Sequence, residues 1–453
     1  MELKYLLFWL VALAGIPAAT ALCHFVPRFR HVMFVAMVWC TAEPDLVGIN
    51  FLSREFYRAM TRGIEISLAD ICSISLAFVF FLDPKIRIRW FPPLAWCFTA
   101  YVVVAACSWI FAVPSLPVPE GATTVPYPLF ETSLYPLFEI TKILRGILLF
   151  WVVYQYGRDE KNIPVVVAAI GITATYLAFI VLYDRYALGI NRVKATLGHP
   201  NTLATYMAMM ATFLFAFALS ANRWIKSFLI LIPCALAGLC VLMTISRGGL
   251  MAMAFGMALV FCLLILRNIS FKNGVLVLAG ALGGTVMLAM AADTLMNRFF
   301  GEQDAEADIE YRGKYNAEAR LMAEEHFFGV GPGNFSAWSW NGYAETVDPE
   351  LPPGTPPHNL WFLTLGELGW PGLVCFILLW LRYYRLVVPA CLIGRSGLLH
   401  TAVVAATCAT LAGHLQNALQ LGFRQSPLFF LNHLFLGLAL AGCAGLLAQG
   451  KKT

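Results

Sequence analysis

The sequence predicts an all-α polytopic membrane protein with about twelve or thirteen transmembrane helices and one long helical loop outside the bilayer. Three observations predict it. Of 453 residues, 60% are hydrophobic and only 13% charged, whereas a soluble domain is nearer half apolar and about a quarter charged. Apolar runs of roughly 18 residues or more recur from end to end, each long enough to cross about 30 Å of hydrocarbon. The runs are continuous, unlike the alternating strands of a membrane barrel.

Flanking charge orders the spans. Met1–Cys23 holds a lone Lys4, a leucine-rich core and the small-residue stretch "PAATA", features of a cleavable signal. Because so many spans follow, it reads as an uncleaved first helix. Cytoplasmic loops collect Lys and Arg. Arg28 with Arg30, Lys85 with Arg87 and Arg89, Arg158 with Lys161, Arg223 with Lys226, and Arg267 with Lys272 form such clusters. Arg382, Arg385, Arg395 and Lys451–Lys452 continue the series. Placing all of them inside makes the intervening spans alternate. The exception is early. "TAEPDLVGIN" interrupts the second apolar segment, and Arg54, Arg58 and Arg62 fall on the outer side. Either the amino terminus is external or one early segment does not cross fully.

The resulting division is a helix bundle over 1–292, an external loop with its own helix over 293–357, and further spans over 358–453. A net charge of +5 is small and sits in short loops, so it reports topology rather than nucleic-acid binding. All twelve cysteines lie in or beside apolar runs, and none forms a CxxC pair. Apolar packing is expected of them, not a disulfide framework or a zinc site.

The loop changes character from Asp293 onward. After the acidic "GEQDAEADIE", Tyr311, Tyr315, Ala319 and Met322 recur at helical intervals and predict an apolar stripe that packs on the bundle. Arg312, Asn316 and Arg320 lie four apart on a neighbouring face, as solvated charges or as ligand-binding ones. Gly329 is expected to end this helix. "GVGPGNFSAWSW" then reads as a glycine-rich turn; without a βαβ context it is a weak dinucleotide fingerprint.

Candidate chemistry gathers on the outer face. Arg247, in "MTISRGGLMAM", and Arg192 with Lys194, before "TLGHPN", defy the scarcity of positive charge expected there. Charges at a membrane edge are costly and usually serve binding. A guanidinium can hold a phosphate bidentately; the plainer reading is an interfacial arginine that snorkels. His199, Pro200 and Asn201 suit ordinary capping positions at the next helix start. Of eight histidines, only His199, His326 and His358 fall outside; His24 and His31 face inward, and His400, His414 and His433 lie in or near later spans. His358 is the best acid–base candidate, because imidazole titrates near neutrality. The prolines of "PPGTPPHN" also stiffen the backbone before it. Asn359 either caps the following helix or orients the imidazole.

In order, spacing and sidedness, "RVKATLGHPNTLA", "SRGG", "YRGKYNAEARLMAEEHFFGVGPGNF" and "PPHNLWFLTLGELGWPGL" resemble the O-antigen ligase and polymerase superfamily. The likeness spans residues 190–380. It implies a GT-C-like integral-membrane glycosyltransferase of the bacterial inner membrane, with its active site facing the periplasm. It implies a glycan donor on undecaprenyl diphosphate, a glycan or lipid-linked glycan as acceptor, membrane lipids around it, no nucleic acid, and no metal or other cofactor. His358 matches the family's catalytic histidine, the general base. Arg192, Arg247 and Arg312 match arginines that hold the diphosphate, with Lys194, His199, Asn201, Tyr315, Arg320 and Asn359 as supporting positions. Where relatives often carry Trp in the loop helix, Tyr315 stands here and the helix is more acidic, which weakens any transfer of acceptor specificity. The alternatives within the family are a polysaccharide polymerase and a protein O-oligosaccharyltransferase. Outside it stands a transporter or flippase for lipid-linked sugars, which requires midplane charges and internal repeats.

Overall fold

The apolar segments fold as helices in the expected order. A computed structural model describes residues 3–43, 46, 48–52, 63–117, 129–130, 132–265, 270–290, 302–394, 397–418 and 420–450. The first third holds α1 (Leu3–Leu10), α2 (Ile16–Phe25), α3 (Phe29–Cys40), α4 (Leu68–Leu82) and α5 (Ala95–Phe111). The centre holds α6 (Leu134–Gly157), α7 (Ile163–Tyr186), α8 (Pro200–Ser220), α9 (Trp224–Met243), α10 (Arg247–Val260) and α11 (Phe271–Met290). The long loop carries α12 (Glu302–Glu325), and α13 (Leu360–Ile393), α14 (Leu398–Asn417) and α15 (Ser426–Gly450) follow. Two short antiparallel ribbons, Ile49–Phe51 with Ile64–Ile66 and Leu116–Pro117 with Leu129–Phe130, are the strands among the described residues.

Eight of the described helices are long and apolar enough to cross a membrane. The protein is a polytopic all-α membrane protein. Three further apolar helices are shorter. With 12 residues, α3 rises only about 18 Å, well under the roughly 30 Å of hydrocarbon. Of the two early alternatives, incomplete crossing fits that length. Arg54, Arg58, Arg62, Arg267, Arg395, Lys451 and Lys452 lie outside the described residues. Arg382 and Arg385 sit inside α13 rather than in a loop after it, because the helix continues to Ile393.

At the centre, 94% of the α8 span is buried, under α9, α10 and α14. Small residues let the helices approach. Gly256 of α10 makes room for Thr212 of α8, whose Oγ1 stands 2.5 Å from where a Cβ would be. α13 breaks at Gly369 (φ +66°), just before Pro371. The glycine-rich turn fills that break: Val330 N–H donates to the Gly366 carbonyl (3.1 Å) and Gly331 N–H to that of Glu367 (3.0 Å). Gly329 (φ +73°) has no room for a side chain, since a Cβ would lie 2.4 Å from the Glu367 carbonyl.

α12 packs on α13, Ala319 and Met322 meeting Leu363, and Tyr315 packs on Ala344 and Leu351. Three of the four stripe positions are therefore buried. Tyr311 is the exception, 37% exposed. Lys314 lies 5.4 Å from its ring centroid and pairs with Glu310 (2.6 Å) and Asp348 (2.7 Å) across that face.

Candidate functional site

Three helices start, capped, at the end of the bundle that carries the long loop. His199 Nδ1 accepts from Asn201 N–H (3.1 Å) to open α8. Ser246 Oγ accepts from Gly249 N–H (3.3 Å) to open α10. Asn359 Oδ1 accepts from Trp361 N–H (2.9 Å) to open α13, so capping is the role the structure gives it. Each start carries the partial positive charge of unpaired backbone N–H groups, which favours anions.

The α8 and α10 starts lie against each other. A Cβ on Gly249 would stand 2.5 Å from that of Ala204, and one on Gly248 would meet Gln416 of α14 at 3.5 Å. Gln416 in turn donates to the Asn201 carbonyl (3.4 Å). Arg247 is thus held beside the first turns of α8. The backbone around these cations is strained: Ala195, next to Lys194, has φ +47°, and Ile245, two before Arg247, has φ +53°. Left-handed backbone is rare for a β-branched residue and costs about 1–3 kcal/mol, so the surroundings must enforce it.

A cavity of about 530 Å³ opens at this end. α8 contributes His199, Asn201, Thr202 and Thr205; the proline-rich segment contributes Thr355, Pro356 and His358; the α14–α15 connection contributes Gln420, Leu421, Gly422 and Gln425. The Thr202 hydroxyl donates to Gln425, tying two walls together. Arg192 Nη2 donates to Asn201 Oδ1 (3.0 Å). Desolvation first, then the cationic Arg192 and Lys194, hold the His199 imidazole below its ordinary pKa, favouring the neutral ring that can accept at Nδ1. His358 is half-buried behind the buried Thr355, Pro356 and Pro357. Its leading segment is anchored by Gly354 N–H to Ser339 Oγ (2.8 Å) and by the Tyr315 hydroxyl to the Pro352 carbonyl (3.4 Å).

His358, His199 and Asn201 therefore share one cavity wall, and Arg192 and Lys194 adjoin it. Arg247 opens α10, which packs on the first turns of α8, but it is not among the residues that line the cavity. Arg312 stands on α12 three residues before the anchoring Tyr315, half-buried, whereas Arg320 is exposed. Sequence reasoning missed the hydroxyl and amide lining, and it missed the ionic cluster behind the α14–α15 connection. There Arg424 Nη2 lies 2.6 Å from Glu367 Oε2 and 3.3 Å from Glu139 Oε2. Lys142 Nζ lies 2.8 Å from Glu139 Oε2 and donates to the Arg424 carbonyl (3.0 Å). All four side chains are buried. The signal was present in "FEITKI", where opposite charges three apart interrupt an apolar span; such charges pair and face the interior.

A polytopic helical membrane protein with a polar cavity flanked by cations at one end is the class these elements define. Residues 232–377 match the family model Wzy_C, O-antigen ligase. That segment, less than half of the chain, is similar to a glycosyltransferase-type enzyme family of polysaccharide and lipopolysaccharide biosynthesis. The family implies lipid-linked glycan substrates. The matched segment includes Arg247, Arg312 and His358 and begins after Arg192. No curated protein matches the chain.

Proposed function

We propose that this protein transfers a glycan from undecaprenyl diphosphate to an acceptor hydroxyl at the periplasmic face of the bacterial inner membrane. His358 takes the acceptor's hydroxyl proton at Nε2. The acceptor oxygen bonds to the anomeric carbon, with inversion, as the bond from that carbon to the diphosphate oxygen breaks. The electron pair leaves on the diphosphate. Arg192, Arg247 and Arg312 offset its charge, helped by Lys194 and the capped helix starts. Asn201 orients Arg192, and Tyr315 steadies the segment that carries His358. The helices of 1–292 and 358–453 hold the lipid donor, and the loop of 293–357 borders the acceptor side.

The observation that carries this reading is the shared cavity of His358 and the α8 start, which come from distant parts of the chain.

The test is transfer in membranes from a defined lipid-linked glycan. H358A is expected to lose about 10²–10⁴-fold in rate while keeping donor binding and thermal stability. Turnover close to that of the unaltered protein removes His358 from the mechanism. Mass spectrometry of the product identifies the acceptor: glycan joined to a lipid-linked core marks a ligase, chain extension a polymerase, and a glycosylated polypeptide a protein transferase.

A further inference from the structure

α8 joins two cavities. Its first turns line the site just described, and its last turn, at Leu219 and Ser220, borders a larger cavity of about 1700 Å³. The rise from Thr202 to Leu219 is about 26 Å, so the two openings lie nearly a bilayer core apart. The second cavity sits where the basic loops gather.

Its walls are apolar and belong to spanning helices: Val167 and Gly171 of α7, Leu229 and Pro233 of α9, and Leu398 of α14. Ile172, Leu229 and Ile232 beside it are more than half exposed, on surfaces that hydrocarbon covers. Its mouth is different in kind. α9 opens with "RWIKSF", and Arg223, Trp224 and Lys226 line the rim. Tryptophan and basic side chains are the residues that settle at headgroup depth. Arg223 and Lys226 are exposed, and no carboxylate lines the cavity among the described residues. The third cation, Lys272, is already engaged, donating to the Leu219 carbonyl (3.1 Å) and Ser227 Oγ (3.1 Å) and to the Ala221 carbonyl. It closes the carboxyl end of α8 and leaves Arg223 and Lys226 to face an incoming anion.

We infer that this groove is a binding site for an anionic phospholipid of the leaflet on the basic-loop side, with its acyl chains along α7 and α9 and its phosphate on Arg223 and Lys226. The volume exceeds the roughly 300–1,000 Å³ usual for a drug-sized soluble ligand. Apolar walls within the spanning region with a cationic mouth fit a bilayer lipid rather than a soluble anion. The inference is independent of glycosyl transfer and of His358.

The full-length protein in detergent micelles, titrated with phosphatidylglycerol or with phosphatidylcholine of the same acyl chains, tests it by native mass spectrometry. Phosphatidylglycerol is expected to bind roughly 30-fold tighter than phosphatidylcholine, about fivefold for each cation. R223Q/K226Q, on exposed positions, removes that preference at unchanged melting temperature. G171L fills the groove and weakens both lipids. Equal binding of the two lipids by the unaltered protein overturns the assignment, as does an undiminished preference in folded R223Q/K226Q.

Discussion

Replacing Arg424 by methionine removes one of two cations from a buried, electrically balanced quartet. Glu367 loses its 2.6 Å partner and Glu139 its 3.3 Å one, which leaves two carboxylates facing Lys142 alone. Hydrogen bonds to charged groups contribute about 1.5–3 kcal/mol each, and breaking a buried pair from one side costs about 3–5 kcal/mol. A loss of about 4 kcal/mol is therefore expected. E367M leaves an excess cation instead and is expected to cost a similar amount. In R424M/E367M the Glu139–Lys142 pair at 2.8 Å remains neutral, so the double variant should be at least about 2 kcal/mol more stable than additivity gives. The assay is unfolding of the purified protein in mixed micelles against SDS mole fraction, followed by tryptophan fluorescence. A cost below about 1 kcal/mol for R424M, or strict additivity in the double variant, refutes the argument that these four groups are one balanced unit.

Gly249 and Gly248 separate close packing from mere sequence position. G249A drives its methyl group into Ala204, 2.5 Å away, and should destabilise by about 1–3 kcal/mol and lower transfer, whereas G248A, with 3.5 Å to Gln416, should do neither; melting temperature and turnover read both. Burial pushes the Glu318 carboxyl up from 4.5 to about 7, partly offset by the Ser339 hydroxyl. Between those pH values the folded protein holds the extra proton, so stability should fall by about 3 kcal/mol as pH rises from 4.5 to 7 and then level off; E318Q should flatten this profile in melts taken across that range. N359A removes the α13 cap and should cost about 1 kcal/mol with a modest loss of turnover. A loss as large as that of H358A would show that Asn359 does more than cap.

What was legible in the sequence is what depends on neighbours a few residues apart. Continuous apolar runs announced helices, because hydrocarbon leaves the backbone few other choices. Tyr315, Ala319 and Met322 were readable as a buried stripe from spacing alone. Tyr311 followed the same spacing and is exposed, because the ion pairs of Lys314 with Glu310 and Asp348 occupy its face. Capping by His199 and Asn359 was readable too, since the cap lies within two residues of the N–H it serves. The quartet was not. Glu139 and Lys142 are close in sequence, but the charges that balance them arrive from α13 and from the connection before α15, and nothing local specifies that meeting.

The same division explains why the cations were conspicuous in the sequence and the cavity's walls were not. A lone arginine at the edge of an apolar span is conspicuous because its position is costly, whereas Thr202, Thr205 and Gln425 are ordinary in any helix end. Their meaning arises from convergence: Thr202 reaches Gln425, and Gln416 reaches Asn201, so α8, α14 and the α15 lead close on one another. Arg424 lies in that lead, beside Gly422 and Gln425 on the cavity wall, and its own carbonyl is held by Lys142. The buried charges thus set the position of a wall that His358 faces. Disturbing the quartet should therefore lower transfer at a temperature where the protein is still folded, an effect that a purely structural ion cluster remote from the cavity would not produce.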